Sequence, residues 1–181
     1  LTDPTPGFRV SAHYMITDDG TVLGLVPEDK TAWHAGRSAW AGRRNLNPCS
    51  IGIELAHPGR CQPRRGFPPR QITALIHLLN DIRSRHRIPD QHILGHFEIA
   101  PGRKSDPGPL FPWRELARAG HGFWPDFKNR GSIREDPQVL RRLLTQWGYD
   151  PRVPLKRLRT VIRMRYRPEG RAGQAGSGSI Q

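Results

Sequence analysis

Apolar residues recur at helical spacing in the middle of the chain. Between about residues 69 and 87 they fall at Ile72, Leu75, Ile76, Leu79 and Ile82. This period is typical of an amphipathic helix with one buried face. A shorter helix is predicted from about Pro112, which suits a first turn, to Ala119, with Gly120 as its stop.

Short apolar runs predict four strands, at residues 9–16, 21–26, 50–56 and 92–97. The turn Asp18-Asp19-Gly20 joins the first two as a hairpin. Strands that alternate with long helices favour an α/β fold, with a central sheet and helices packed on it. We assign residues 1–120 to this domain, which is long enough to bury a core.

A small helical module is predicted after a linker at residues 121–135. Asp136 is a good N-cap, Pro137 suits the first turn, and the apolar stripe that follows ends at Gly148. A second helix is predicted at about 154–166 within a module spanning 136–169. Two such helices cannot bury a large core, so we expect them to dock on the first domain. The Gly/Ser-rich residues 170–181 predict a flexible tail.

The segment from Gly95 to Gly108 carries the most chemistry. It holds His96, Lys104 and Asp106 in a stretch whose glycines and prolines predict a shaped loop. Histidine and aspartate suit Zn²⁺, and a lysine suits a developing negative charge. Catalytic zinc usually takes three protein ligands. His13, whose ring a predicted strand would fix, is the best third candidate, and an ordinary core histidine is the alternative.

Glu54 follows the apolar run Ile51-Gly52-Ile53, which is typical of a buried strand. Partial burial would raise the pKa of this carboxyl and let it take a proton from an attacking water and deliver it to a leaving amine. A structural glutamate paired with an arginine is the alternative. His34, in Trp33-His34-Ala35-Gly36, either contacts substrate or packs within a loop.

Four segments together resemble the zinc-dependent N-acetylmuramoyl-L-alanine amidases of the peptidoglycan-recognition-protein-like fold (type 2, AmpD/AmiD-type). They are Val10–Tyr14, Ala32–Gly36, Ser50–Leu55 and His96–Gly108. The resemblance implies an α/β fold with a central mixed sheet. It also implies zinc bound by His13, His96 and Asp106, with Glu54 as catalytic acid/base and Lys104 as transition-state stabiliser. Glu98 departs from the pattern, since many relatives have aspartate there.

The C-terminal part resembles the helical peptidoglycan-binding module that follows the catalytic domain in AmiD-type enzymes. The similar part is the turn from Leu144 to Asp150, with its Leu-x-x-x-Gly-Tyr-Asp pattern. Arg163 and Met164 depart from the Phe-Gln character expected in the second helix. A structural helical cap is therefore the alternative role for this module.

The charge is strongly positive, with 29 Lys+Arg against 16 Asp+Glu and a net charge of +13. No nucleic-acid motif accompanies it, so we do not expect nucleic acid as partner. Cell-wall polymers and outer-membrane lipid are both anionic, and the charge does not distinguish between them. Cys49 and Cys61 form no Cys-x-x-Cys pair, and both a disulfide and two free thiols fit the sequence. No apolar run is long enough to cross a membrane. Because the sequence starts at Leu1, we expect a missing N-terminal segment, where a signal peptide or lipid anchor would lie.

The predicted function is hydrolysis of the amide between the lactyl group of N-acetylmuramic acid and L-alanine of the peptidoglycan stem peptide. The partners would be muropeptides or intact wall, the protein a monomer, and its place the periplasm or the outer membrane. Two alternatives stay open. One is a catalytically inactive peptidoglycan-binding module on the same fold, and the other is a cytosolic recycling amidase restricted to anhydro-muropeptides.

Overall fold

A three-stranded mixed sheet lies at the centre of the computed structural model, which describes residues 10–58, 61–62, 65–126 and 136–166. The strands are β1 (Tyr14–Ile16), β2 (Val22–Gly24), β3 (Ala39–Trp40), β4 (Arg43–Arg44) and β5 (Ile53–Leu55). The sheet order is β2-β1-β5, with β1 antiparallel to β2 and parallel to β5. Strands β3 and β4 form a separate hairpin.

The described residues also form five α-helices. They are α1 (Pro69–Arg85), α2 (His96–Ile99), α3 (Trp113–Arg118), α4 (Pro137–Trp147) and α5 (Leu155–Arg165). Helix α1 buries the apolar face that its periodicity predicts. The buried amide of Gln71 donates to the carbonyl oxygens of Ile16 (3.0 Å) and Ala56 (2.9 Å), so the start of α1 is held against the sheet.

The predicted α/β class with a mixed central sheet is confirmed, as are the four longer helices. Three predicted strands form but are shorter than the apolar runs. The strand predicted at 92–97 is wrong: a 3₁₀ turn (Asp90–His92) and helix α2 occupy that region. The reason is local, because the Glu98 carboxylate accepts the Gly95 backbone N–H (2.7 Å) and so satisfies the N-cap backbone at the start of α2.

Helices α4 and α5 pack against the rest of the fold. Asp136 is the N-cap of helix α4, and its side chain accepts a hydrogen bond from the Gln138 backbone N–H. Gly148 is the C-cap. Gly148 has φ +136°, and a Cβ there would lie 2.6 Å from the Trp40 ring. The Tyr149 ring meets the same indole edge-on at 4.8 Å between centroids. The end of α4 is therefore fitted onto the β3–β4 hairpin.

The predicted linker is described only in its first part. His121 is buried, and Phe123 lies 4.9 Å from Trp147 between ring centroids. Residues 127–135 and the predicted tail at 170–181 lie outside the described residues. Cys49 and Cys61 are both exposed free thiols. None of the described helices is long and apolar enough to span a bilayer.

Glu28 joins the sheet side of the fold to the end of α1. Its carboxylate accepts hydrogen bonds from Tyr14 (2.6 Å), Arg85 (2.8 Å) and His86 (2.6 Å). The Arg85 hydrogen bond is the largest cause that lowers the pKa of Glu28 to about 2. A carboxylate with a lowered pKa stabilises the fold above its unfolded-state pKa, and this stabilisation disappears as the pH falls toward 2.

We expect Glu28→Gln to lower the free energy of unfolding at pH 7 by about 1–2 kcal/mol, since a charge-assisted network loses its anion. The gap between variant and parent should close as the pH falls from 4.5 toward 2. Denaturant unfolding across this range measures both effects. Asp29→Asn, at an exposed ion pair with Lys30, is the matched control and should change little. A gap that is independent of pH would contradict the role of the Glu28 charge.

Candidate active site

Glu54 lies in the middle of β5 and pairs in register with Met15 of β1. Its side chain is solvent-accessible. Burial by neighbouring groups, followed by the negative charge of Asp106, raises the pKa of Glu54, while His96 and Lys104 act in the opposite direction. The strand therefore presents a carboxyl of increased basicity close to three residues of the Gly95–Gly108 segment.

The Gly95–Gly108 segment brings His96 and Asp106 into direct contact, with 2.9 Å between Nδ1 and Oδ2. The other ring nitrogen, Nε2, lies 3.2 Å from the Ala35 carbonyl oxygen, which accepts its proton. Burial raises the pKa of Asp106, but the His96 hydrogen bond and the charges of His96 and Lys104 outweigh it and lower the pKa overall. The Asp106 carboxylate, as an anion, therefore faces the Nδ1 atom of His96.

His34 packs over the start of β5 in the same neighbourhood. Its Nε2 lies 3.0 Å from the Ser50 hydroxyl, and its ring meets that of His13 at 5.5 Å between centroids. Burial, with the nearby His13 and His96, lowers the pKa of His34 to about 4. His34 is therefore neutral near pH 7. Only a residue without a side chain fits below it, because a Cβ on Gly52 would lie 2.3 Å from the His34 ring.

His13, the third zinc ligand predicted from sequence, is buried, and both of its ring nitrogens contact the backbone. It is 1% exposed, its Nδ1 accepts the Gly52 N–H (3.0 Å), and its Nε2 contacts the Lys30 carbonyl oxygen (3.1 Å). Both ring nitrogens therefore contact backbone atoms in this structure, and the role of His13 as a zinc ligand stays a prediction. In the described part of the chain, no three His, Cys, Asp or Glu side chains are grouped to hold a metal ion.

His96 and Asp106 nevertheless fit two positions of a zinc site. A ring nitrogen and a carboxylate oxygen are zinc donors, and the carbonyl that accepts the second ring proton is a common partner of a metal-binding histidine. A neutral Nδ1 and a carboxylate oxygen are both acceptors, so their 2.9 Å approach needs a proton or a cation between them. The donor chemistry therefore suits a cation at this pair.

Arg103 is a site residue that the sequence did not reveal. Its guanidinium donates to the carbonyl oxygens of Ala35 (2.7 Å) and Arg37 (3.0 Å), and it lies 3.5 Å from His96 Nε2. These bonds join residues 34–37, which we call the His34 loop, to the Gly95–Gly108 segment. Its position next to Lys104 in the sequence could have pointed to Arg103. Its partners are backbone atoms, however, and no sequence pattern predicts them.

Comparisons with known proteins show the family of this chain. The sequence profile of the Amidase_2 family, described as N-acetylmuramoyl-L-alanine amidase, matches residues 2–109. The chain belongs to this family. It is 40% identical over 193 residues to the N-acetylmuramoyl-L-alanine amidase AmiD of Escherichia coli (strain K12), which covers 92% of this chain and 70% of AmiD. AmpD of Citrobacter freundii, a 1,6-anhydro-N-acetylmuramyl-L-alanine amidase, is 42% identical over 58% of this chain and 54% of its own length.

Solved structures of Amidase_2 proteins extend the similarity into the C-terminal helices. The complex of E. coli AmiD with anhydro-N-acetylmuramic acid-L-Ala-D-gamma-Glu-L-Lys matches with a TM-score of 0.79, at 40% identity, over 93% of this chain and 74% of that one. AmpDh3 of Pseudomonas aeruginosa, in complex with anhydromuramic pentapeptide, matches with a TM-score of 0.75, at 33% identity, over 88% and 74%.

The close fit between Gly52 and His34 makes a testable prediction. Gly52→Ala should lower the free energy of unfolding by about 1–3 kcal/mol, because the new Cβ pushes the His34 ring off β5. Gly24→Ala in β2 is the matched control, since a Cβ there meets nothing within 4 Å. Denaturant unfolding of both variants measures the difference. Equal stabilities would show that the His34 loop yields without cost.

Proposed function

We propose that this chain hydrolyses the amide bond between the lactyl group of N-acetylmuramic acid and L-alanine of the peptidoglycan stem peptide. The observation that carries the proposal is that Glu54 of β5 lies within electrostatic range of His96, Lys104 and Asp106, and that His96 and Asp106 contact each other. No local pattern joins these two chain segments. A base, a cation and a pair of metal donors in one place suit hydrolysis of an unactivated amide.

Glu54 acts as the acid/base in this proposal. Its carboxylate takes the proton of the attacking water and passes it to the amine nitrogen of L-alanine as the amide bond breaks. Burial raises its pKa and so increases its basicity. Lys104 stabilises the negative charge that develops on the carbonyl oxygen. His34 borders the site as a neutral ring.

His96 and Asp106 would hold Zn²⁺. When bound, zinc polarises a carbonyl and lowers the pKa of water. Catalytic zinc usually has three protein ligands. Among the residues that the structure describes, no third His, Cys, Asp or Glu side chain is grouped with these two.

A groove of about 750 Å³ supports a peptide as the ligand. It is lined in part by Arg37, Arg44 and Arg103 and by the exposed indole of Trp33. Stem peptides carry carboxylates, which arginines bind well, and the ligand in the AmiD complex includes such a residue, D-gamma-Glu. The net charge of +13 suits binding to an anionic wall, which favours a location in the bacterial cell envelope. We propose that the protein is a monomer, either free in the periplasm or held at the outer membrane by a lipid anchor.

The relatives that match the C-terminal helices indicate how broad the proposed substrate range is. AmiD covers 92% of this chain, whereas AmpD covers 58%. We therefore favour action on intact wall as well as on anhydro-muropeptides. Digestion of sacculi and of anhydro-muropeptide side by side, with products identified by mass, should release stem peptide from both. Release from the anhydro-muropeptide alone would indicate a recycling amidase, and release from neither would contradict the proposal in favour of a binding module.

Glu54→Gln tests the proposed base. The variant should lose amide hydrolysis by about 10²–10⁴-fold, because the amide side chain cannot accept the proton of water. Its zinc content and thermal unfolding should match those of the parent. Glu115→Gln, on the exposed side of α3, is the control and should keep full activity. Full activity in Glu54→Gln with zinc bound would remove Glu54 from the mechanism.

A further inference from the structure

Glu98 is a buried acid on the same short helix as the proposed ligand His96. It is 2% exposed, and its Oε2 accepts the Gly95 N–H at 2.7 Å. Its other oxygen accepts the Tyr149 hydroxyl hydrogen bond at 3.1 Å, and the Arg165 Nε lies 3.9 Å from it. That distance is an ion pair without a hydrogen bond. Glu98 is therefore the point where the C-terminal helices reach the Gly95–Gly108 segment from inside.

Tyr149 and Arg165 are themselves firmly placed. The Tyr149 ring is 1% exposed and packs edge-on against Trp40. The Arg165 guanidinium lies 3.4 Å from the centre of the Trp113 ring, and its Nη2 donates to the Ile93 carbonyl oxygen at 3.3 Å. A buried carboxylate is costly unless it is paired and hydrogen-bonded. These two residues are the charged and polar partners that Glu98 receives from elsewhere in the chain.

A second contact joins α5 to the same segment. Gly102 has φ +78°, and a Cβ there would lie 3.0 Å from the Arg157 side chain. Helix α5 thus meets the segment both at Glu98, just after His96, and at Gly102, just before Lys104. The backbone on the two outer sides of these contacts is joined, since the Phe97 N–H donates to the Asp106 carbonyl oxygen (3.1 Å). A shift at Glu98 is therefore transmitted to the proposed ligands.

We propose that Tyr149 and Arg165 are positioning residues, which act through Glu98 to hold the segment from His96 to Asp106 in its reactive geometry. The C-terminal helices then serve the active site directly, in addition to any contact with the wall. This inference rests on the proposed amidase function for its kinetic test only. Its structural test, the rigidity of residues 95–104, does not depend on activity.

Tyr149→Phe is the decisive variant, because it removes only the hydroxyl and keeps the ring on Trp40. We expect its zinc affinity and kcat each to fall about 10-fold with KM unchanged, as for the loss of other partners of metal ligands. Amide hydrogen exchange should speed up at residues 95–104. Tyr14→Phe is the matched control: it also removes a hydroxyl that donates to a carboxylate, that of Glu28, and should change none of the three.

A double-variant cycle checks that the effect passes through Glu98. If it does, Tyr149→Phe combined with Glu98→Gln should be no worse than Glu98→Gln alone. Independent losses that multiply would overturn the route through Glu98. Unchanged exchange at residues 95–104 in Tyr149→Phe would overturn the positioning role itself. If the parent protein neither binds zinc nor hydrolyses muropeptides, the proposed function fails, while faster exchange in Tyr149→Phe still supports the positioning role.

Discussion

The buried carboxylate of Glu98 is the interaction on which the candidate site depends. Burial raises the pKa of this group, while Arg165, the Gly95 N–H and the Tyr149 hydroxyl favour its charged form. The contact with Gly95 makes the chain turn into α2 instead of continuing as a strand. The contacts with Tyr149 and Arg165 bring the C-terminal helices onto that turn. One side chain thus links local backbone shape, long-range packing and the position of the proposed ligands.

The proposed site residues come from two parts of the fold, strand β5 and the Gly95–Gly108 segment. Strand β5 presents Glu54 from a sheet whose register fixes it, which suits a group that must move a proton over a short distance. The Gly95–Gly108 segment carries His96 on the one-turn helix α2 and Lys104 and Asp106 on irregular backbone, so it needs external support. Arg103 supplies part of this support by bonding to the His34 loop, and the C-terminal helices supply the rest.

Sequence patterns could predict features that depend on local chemistry. The periodicity from Ile72 to Ile82 predicted α1, and Asp136 with Pro137 predicted the start of α4. Patterns could not predict that the Glu98 carboxylate would accept the Gly95 N–H, where the chain forms α2 instead of the strand predicted at 92–97. His13 shows the same limit, because its ring nitrogens bind the backbone at Gly52 and Lys30, and such partners leave no mark in the sequence. The Tyr149–Glu98 contact spans 51 residues and is likewise invisible before folding.

The central proposal is that His96 and Asp106 form the core of a zinc centre, while the backbone at Gly52 and Lys30 holds the His13 ring. Crystals of the zinc-loaded protein, measured on either side of the zinc absorption edge, test it most directly. The account predicts one anomalous peak in contact with both the His96 ring nitrogen and the Asp106 carboxylate, with the His13 ring still bound to Gly52. A peak at His13, or at a site that includes neither His96 nor Asp106, would contradict it.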